Sequence, residues 1–427
     1  MWGFSPLDEE LGLIAGGLTP RLDESLQRLG AWMPFRRAAQ LLADLTGALV
    51  SEATARRHTL AGGAAYEQVQ SVEAERVQSE LPAPPQGPER QFLSADGAFV
   101  PVVGREWTEV KTLTIGTVAE DARSHEPQVE QLSYFSRVAE AQRFGELALG
   151  EIHRRGVETA GACCAPTDGA EWIQGLLDLH RPDAVRILDF PHAAQRVAQS
   201  AALYFGEGSA GAAEFADRHL HALKHEGPQG VLEALGALAR EHPEQYMLAE
   251  NLGYLRRREA SMDYPAYRRA GWPIGSGPSE SANKVVVEAR LKGAGMHWAR
   301  EHLNPMLALR NAVCNDRWEE ACLQTCQYRR QQRLAARAQM AQSRSGQPVP
   351  PQQPGPAVAC PVPMAAVAAT PTASPVAPSA HEHAVVHRAD TPKPPVTRKP
   401  AANHPWRHSP IGKARFTHTA AHTGARN

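Results

Sequence analysis

Residues 160–190, AGACCAPTDGAEWIQGLLDLHRPDAVRILDF, contain the pattern that decides the fold. A short apolar run ends at Asp168, a helical segment follows and stops at Pro182, and a second apolar run ends at Asp189. Short apolar runs of this kind are typical of strands that are buried on both faces of an α/β sheet. The stretch therefore predicts a strand, a helix and a strand, with an aspartate at the end of each strand.

The segments on either side extend this α/β pattern. Alternating, β-rich sequence predicts strands at 91–104 and 109–120 and a third around 131–138, and apolar residues at helical spacing predict a helix over 140–156. Three strands, a helix, a strand, a helix and a strand fit a ribonuclease-H-like core. Residues 193–260 have a mostly helical pattern, which predicts an insertion before the last core helix.

Residues 34–65 have the pattern of a helix-turn-helix, PFRRAAQLLADLTGALVSEATARRHTLAGGAA. Gly47 ends the first helix, and Ser51 is suited to cap the second. In a DNA-binding module of this type the second helix enters the major groove. Its candidate DNA contacts are Thr54, Arg56 and Arg57. The alternative is a plain pair of antiparallel helices with solvated arginines.

Composition divides the chain into four regions. Residues 1–65 are predicted to form the all-α helix-turn-helix module, and 66–90 form a polar, Pro-containing linker. Residues 91–325 are predicted to form the α/β domain, with the helical insertion at about 193–260. Residues 331–427 are low in complexity and rich in Ala, Pro and Gln, which predicts a disordered tail because such sequence buries too little apolar surface to fold alone.

The overall composition excludes several classes of protein. The 45 basic and 46 acidic residues give a formal net charge of −1, so any DNA binding must depend on local charge. The N-terminus lacks the basic and apolar regions of a signal peptide, and no apolar run approaches the roughly 20 residues of a membrane helix. The six cysteines have no paired zinc-ribbon spacing, which predicts reduced structural thiols in a soluble, cytoplasmic protein.

Three aspartates lie within or at the ends of the predicted strands. Asp96 lies inside the first strand pattern, and Asp168 and Asp189 follow the two apolar runs. A carboxylate among apolar neighbours is costly to bury unless it binds a cation or a partner group. A helix cap is the simpler interpretation of Asp168, but no helix pattern follows Asp96. Three such acids in one domain therefore predict a site that binds cations.

A fourth acid lies in residues 271–298, GWPIGSGPSESANKVVVEARLKGAGMHW. The Gly-Ser-Gly-Pro sequence predicts a helix start with Glu280 in its first turn. The spacing predicts that Glu280, Lys284, Val287 and Leu291 form one stripe of this helix. Glu280 and Lys284 also fit an exposed ion pair, and Glu288 is a competing carboxylate. The basic residues Lys284, Arg290 and Lys292 are candidate DNA contacts.

Taken together, the motifs resemble the ISKra4-family insertion-sequence transposases over roughly residues 6–325. The segments that carry the resemblance are SADGA (94–98), WTEVKTLTIG (107–116), TDGAEWIQG (167–175), LHRPDAVRILDFPHAAQ (179–195), ESANKVVVEARLKGAGMHWA (280–299) and NPMLALRNAVCNDRW (304–318). HPWR at 404–407 is similar to the tail of the family. The resemblance implies a DDE transposase with a ribonuclease-H-like catalytic domain and a helical insertion.

The resemblance also implies a role for each acid. Asp96 and Asp168 match the two catalytic aspartates and Glu280 the catalytic glutamate, so these three are the expected metal ligands. Asp189 and His192 form a D-x-x-H motif, and in related families a motif of this kind lies beside the active site. An alternative register makes Asp189 the second metal ligand, and the spacing leaves this alternative open.

The chemistry implied is two-metal strand cleavage and strand transfer at the ends of an insertion sequence. Two Mg²⁺ or Mn²⁺ ions clamp the reacting phosphate, and Asp96 is expected to bridge them. The expected partners are the double-stranded terminal repeats and target DNA, on which the protein assembles as a homo-oligomer in the nucleoid. Relatives commonly carry a Cys-pair segment ahead of the helix-turn-helix, and this chain is expected to start just past that point, so one alternative is an N-terminally truncated, inactive DNA-binding protein. A second alternative is a structure-specific nuclease with the same core.

Overall fold

A five-stranded mixed sheet organises residues 18–345, the part of the chain that the computed structural model describes. Its spatial order is β3-β2-β1-β4-β5, in which β1, β2 and β3 pair antiparallel and β4 and β5 extend the sheet in parallel. The predicted α/β class is therefore confirmed. The strands are β1 Arg90–Val102, β2 Glu106–Glu120, β3 Pro127–Arg137, β4 Ala162–Thr167 and β5 Val185–Leu188.

Side chains of the central strands alternate between two hydrophobic cores. Phe92 and Cys164 pack into a core with the insertion helices, whereas their neighbours Leu93 and Cys163 pack into a core on the opposite face. This alternation follows from the two-residue period of a strand. Because both faces are covered, consecutive residues are buried at 91–95 of β1 and 163–167 of β4. β5 is an edge strand, and only its last two residues are buried.

The second core is closed by α4 (Ala141–Arg154) and α5 (Glu171–His180), the two helices that alternate with β3, β4 and β5 along the chain. Phe144 and Trp172 meet edge to face at 5.7 Å between ring centroids, and both helices bury their apolar stripes there. α5 connects the parallel strands β4 and β5, as the strand-helix-strand pattern predicted.

Three helices precede the sheet: α1 (Pro20–Trp32), α2 (Phe35–Thr46) and α3 (Glu52–Glu80). The predicted break is present, because Gly47 ends α2 at a φ of 74° and the Ser51 side chain accepts a hydrogen bond from the Thr54 N–H at 3.1 Å. A residue other than glycine is strained at such a φ.

The predicted linker at 66–90 is wrong over most of its length, since α3 continues to Glu80. The physical reason is that Tyr66, Ala74 and Val77 are buried where α3 packs against neighbouring helices. Gly63 approaches the chain so closely that an added Cβ would lie 2.2 Å from the Pro305 carbonyl oxygen. The predicted boundary at residue 65 therefore lies inside a packed helix.

The predicted insertion is helical. Its helices are α6 Phe190–Phe205, α7 Ala210–His225, α8 Gln229–Glu241 and α9 Tyr246–Arg256, followed by a 3₁₀ turn at Glu259–Ser261 and by α10 Tyr264–Arg269. Leu223, Val231, Leu235 and Leu252 from these helices share a core with Phe92 and Ile187 of the sheet. The insertion therefore packs directly on one face of the sheet.

The helix that carries Glu280 is not continuous. It consists of α11 (Gly277–Ala282), a π-helical segment (Asn283–Glu288) and α12 (Ala289–Leu291). The predicted stripe from Glu280 to Leu291 is therefore wrong: Glu280 and Lys284 are exposed, whereas Val287 and Leu291 are buried. A π turn holds more residues than an α turn, so residues beyond it rotate out of α-helical register.

Two further helices complete the described residues: α13 (Arg300–Cys314) and α14 (Trp318–Ser345). α14 runs past residue 331, so the first part of the tail predicted to be disordered is helical, and 346–427 lie outside the described residues. Between residues 18 and 345, no helix combines the length and apolar character that crossing a membrane requires.

Candidate active site

Three aspartates lie in one row at the carboxyl-terminal edge of the parallel strands. The register pairs Phe92 of β1 with Cys164 of β4, so four residues further along Asp96 lies level with Asp168. Thr167 of β4 pairs with Leu188 of β5, which places Asp168 level with Asp189 one residue later. The sequence predicted Asp96 inside a strand and Asp168 and Asp189 at strand ends, and the register of the sheet brings the three to one level.

Asp96 is partly buried and held from two sides. Its Oδ1 accepts the Gly97 N–H at 2.7 Å, and its Oδ2 accepts the Asn283 Nδ2–H at 2.8 Å. Burial raises the pKa of Asp96 above its ordinary value; the two hydrogen bonds oppose this shift, and the negative charge of Asp168 adds to it. No Lys or Arg among residues 18–340 forms an ion pair with Asp96.

Asn283 connects Asp96 to the helix of Glu280. It lies at the start of the π-helical segment and is buried, and its Oδ1 has no hydrogen-bond partner. A buried amide oxygen without a partner is costly, so this atom is available to a group that enters the site. Sequence analysis gave Asn283 no role of its own, although its position three residues after Glu280 is a signal for one.

Asp168 does not cap the helix that follows it. Its Oδ1 accepts the Ala170 N–H at 2.8 Å, and α5 begins with no side-chain cap. The insertion holds the same loop, because the Tyr254 hydroxyl donates to the Asp168 carbonyl at 2.5 Å and the Arg258 Nη2 donates to the Gly169 carbonyl at 2.7 Å. Sequence analysis missed Tyr254, for which the local pattern gives no signal.

Asp189 is fully buried, and protein donors occupy both of its carboxylate oxygens. Oδ1 accepts the Ser276 N–H at 2.6 Å, and Oδ2 accepts both the His192 N–H at 3.2 Å and the His192 Nδ1 at 2.6 Å. Burial raises the pKa of Asp189, but the bonds from His192 and Ser276 outweigh it and hold the pKa below its ordinary value.

His192 forms an ion pair with Asp189 and faces the row of aspartates. The hydrogen bond to Asp189 raises the pKa of His192; burial opposes the shift, and the charges of Asp189, Asp168 and Asp96 reinforce it. The imidazole is 40% exposed. His192 therefore binds its proton more tightly than a free imidazole does, at the edge where the carboxylates lie.

Glu280 is exposed in the first turn of α11, one turn before Asn283. Within residues 18–345, no three His, Cys, Asp or Glu side chains lie close enough together to form a ready-made metal site. The donors at this edge nevertheless suit Mg²⁺ or Mn²⁺ in their chemistry, since both ions prefer carboxylate and amide oxygens. A cation would also offset the repulsion between Asp96 and Asp168, which, unlike Asp189, form no ion pair with a described residue.

The prediction that Arg290 contacts DNA is wrong for this structure. Arg290 is 2% exposed, its Nε donates to the Gly30 carbonyl at 2.9 Å, and its guanidinium lies over the rings of Phe35 and Trp298. The guanidinium joins α12 to the N-terminal helices. A side chain enclosed in this way has no access to a phosphate.

The other predicted DNA contacts lie at the surface. Arg56 and Arg57 are exposed in the first turns of α3 and have no acidic partner among the described residues, whereas Thr54 is half-buried and bonds to Ser51. Lys284 is exposed and unpaired in the described part of the chain. Lys292 is exposed too, but its Nζ lies 2.7 Å from a carboxylate oxygen of Glu288. Glu288, the competing carboxylate, therefore forms an ion pair with Lys292.

The described cysteines are free thiols, as the sequence predicted. Cys163 and Cys164 are buried in β4, and burial raises the pKa of Cys163 to about 12. A thiol with such a pKa is not a nucleophile at neutral pH. Cys360 lies outside the described residues.

Comparison with known proteins leaves the family open. No protein-family model matches the chain, and no curated protein matches it.

Proposed function

We propose that the chain is a DNA transposase of the DDE type, which cleaves and rejoins phosphodiester bonds with divalent metal ions. The observation that carries the proposal is the row of Asp96, Asp168 and Asp189 at one edge of the sheet, facing the helix of Glu280. The sheet order and the alternation of strands and helices support a ribonuclease-H-like catalytic domain.

In this proposal Asp96, Asp168 and Glu280 hold the metal ions. Bound Mg²⁺ or Mn²⁺ stabilises the charge that develops on the attacking and leaving oxygens of the phosphate. Asp189 is proposed not to be a ligand, because it is fully buried, its Oδ2 accepts two hydrogen bonds from His192 and its Oδ1 accepts the Ser276 N–H. This difference favours Asp168 over Asp189, a choice that spacing alone left open.

The residues around the carboxylates position them. Asn283 fixes the orientation of Asp96, while Tyr254 and Arg258 hold the loop of Asp168. Asp189 ties the end of β5 to Ser276, the residue before α11, and so sets where Glu280 enters the site. The hydrogen bond to Asp189 raises the pKa of His192, and the protonated ring would offer a positive charge to a phosphate oxygen.

Binding of the DNA duplex is assigned to exposed basic residues. Arg56 and Arg57 are available in the first turns of α3, and Lys284 extends from the helix of Glu280. Unpaired surface cations attract the phosphate backbone even in a chain of nearly neutral net charge. The protein is proposed to act on the terminal repeats of its element and on target DNA, as an oligomer.

The test is cleavage of a labelled duplex that carries the sequences flanking the gene, with Mg²⁺ or Mn²⁺. We expect metal-dependent cleavage that leaves 3′-hydroxyl ends and is lost in Asp96→Ala and in Glu280→Ala. Glu288→Gln is the matched control on the same helix, since Glu288 pairs with Lys292, and it should keep activity. Cleavage that survives Asp96→Ala would refute the assignment of the site.

Metal rescue separates Asp168 from Asp189. A thiolate binds Mn²⁺ more readily than Mg²⁺, so Asp168→Cys should lose activity in Mg²⁺ and regain part of it in Mn²⁺. Asp189→Cys should show no such recovery, because Asp189 acts through Ser276 and His192. The opposite result would make Asp189 the second ligand.

A DNA-binding protein without catalysis is the second candidate. The observation in its favour is that no three acidic, histidine or cysteine side chains within residues 18–345 form a ready-made metal site. Binding of the flanking duplex without cleavage in either metal would establish this function and exclude the transposase.

A further inference from the structure

A polar cavity of about 250 Å³ lies beside the candidate active site. Its walls come from the ends of β4 and β5, the start of α5 and the residues after α9. Thr167 and Gly169, the two neighbours of Asp168 in sequence, line this cavity. Whatever occupies this cavity therefore lies next to the loop that carries Asp168.

The cavity is lined by three arginines and one carboxylate. Arg186, Arg257 and Arg258 contribute the positive charges, and Glu171 is the acid. Arg186 is already bonded to Gln174 and Asp178. The positive charge available to a ligand therefore comes from Arg257 and Arg258, at the end of the insertion.

Arg257 and Arg258 differ in how they are held. Arg257 is exposed and has no acidic partner in the described part of the chain. Arg258 is anchored, since it donates to the Gly169 and Tyr254 carbonyls and lies over the Tyr254 ring at 4.0 Å. The Nε–H of Arg258 is buried without a hydrogen-bond partner, so part of its donor capacity is unused.

We infer that this cavity, named here the arginine pocket, binds a backbone phosphate of the DNA strand next to the phosphate on which the carboxylates act. Guanidinium groups suit phosphate because their N–H donors match its oxygens in geometry and charge. No aromatic residue lines the pocket, so a base finds no surface on which to stack. The ligand is therefore the sugar-phosphate backbone, which is bound without regard to sequence. This inference rests on the proposed function, since it places the reacting strand at Asp168.

The test compares Arg257→Gln with Arg256→Gln in the full chain. Arg256 is the matched control because it is the exposed neighbour of Arg257, at the end of α9, and does not line the pocket. Binding of a fluorescein-labelled duplex of mixed sequence is followed by anisotropy at several KCl concentrations, in EDTA so that no cleavage occurs. Circular dichroism verifies that both variants fold.

We expect Arg257→Gln to weaken binding roughly fivefold to tenfold and to reduce the slope of log K against log salt by about 0.9, the value for one phosphate contact. Arg256→Gln should leave the slope unchanged. Equal effects of the two variants, or no effect of either, would overturn the inference. A third result would also overturn the inference. If inorganic phosphate stabilises the wild type but not Arg257→Gln, and duplex DNA does not displace the phosphate, the pocket is a site for free anions.

The two proposals fail in different ways. If Arg257→Gln leaves the salt slope unchanged while cleavage still depends on Asp96, the arginine pocket is wrong and the transposase assignment stands. If the slope changes but the wild type never cuts DNA in either metal, the pocket stands and the catalytic assignment is wrong. A wild-type chain that binds no DNA refutes both.

Discussion

Replacing Asp189 by asparagine removes a buried negative charge while keeping the size of the side chain. The carboxylate has no exposed surface, and it accepts hydrogen bonds from the Ser276 N–H and from both the backbone and the ring of His192. An asparagine offers a single acceptor oxygen, and its NH₂ group then faces a donor. The variant therefore loses an ion pair and leaves at least one buried donor without a partner.

The magnitude follows from the exposure of the two groups. Removing one member of a fully buried pair costs about 3–5 kcal/mol, whereas an exposed pair contributes about 0–1 kcal/mol. Asp189 is completely buried but His192 is 40% exposed, so solvent screens one end of the interaction. We expect Asp189→Asn to lower the free energy of unfolding by about 2–3 kcal/mol near pH 6.

The loss of stability in Asp189→Asn should become smaller both at high pH and at low pH. The pKa of His192 is raised by its bond to Asp189, so its contribution is complete below an unfolded pKa of about 6.5 and is lost as pH rises through the folded pKa. The pKa of Asp189 is lowered, so its contribution is complete above an unfolded pKa of about 3.9 and is lost as pH falls through the folded pKa. The variant should therefore differ most from wild type between about pH 4 and pH 6.5.

Urea unfolding followed by tryptophan fluorescence, in EDTA at a series of pH values, measures this difference. The matched control is Asp178→Asn, because Asp178 pairs with Arg186 at the surface and its side chain is 65% exposed. The control should cost at most about 1 kcal/mol. The reasoning is refuted if Asp189→Asn costs no more than the control, or if its cost is the same at about pH 5.5 and about pH 9.

Three further predictions concern packing, thiol reactivity and the loop of the second aspartate. Gly63→Ala should destabilise the protein by about 1–3 kcal/mol in urea unfolding, since the added Cβ would meet a backbone oxygen of α13. The control is Gly175→Ala inside α5, where an added Cβ would have no neighbour within 4 Å, and it should stabilise the protein by about 0.5–1 kcal/mol. Iodoacetamide should label the exposed Cys326 of the native protein and leave Cys163 unmodified, as mass spectrometry of peptides would report. Tyr254→Phe should lower the free energy of unfolding by about 1 kcal/mol and raise the metal concentration needed for cleavage, whereas a purely structural role would leave the metal titration unchanged.

The features that sequence predicted correctly are governed by neighbouring residues. Gly47 and Ser51 mark the helix break because a left-handed φ and a side-chain cap are local requirements. Asp96 and Asp168 were found because each follows apolar strand residues, and parallel strands end at the same edge of a sheet. The site could therefore be outlined before its geometry was known.

The features that sequence missed depend on residues far apart in the chain. Arg290 is basic and near Glu280, but Gly30, 260 residues earlier, takes its hydrogen bond. The π-helical turn after Glu280 rotates the helix out of the predicted register, and no periodic pattern anticipates such a turn. Asp168 and Asp189 have the same local context, and only the donors that surround Asp189 distinguish them.

Helix α3 has a consequence for where DNA is cut. Its 29 residues form one helix about 43 Å long. Arg56 and Arg57 lie near its start, and it packs against α4, a helix that covers one face of the sheet. In the proposed transposase, the distance from the bound terminal sequence to the catalytic carboxylates is thus a fixed length of the protein. If the proposal holds, the length of α3 would set the position of strand cleavage relative to the recognised sequence, and repeats with altered spacing would be bound but not cut.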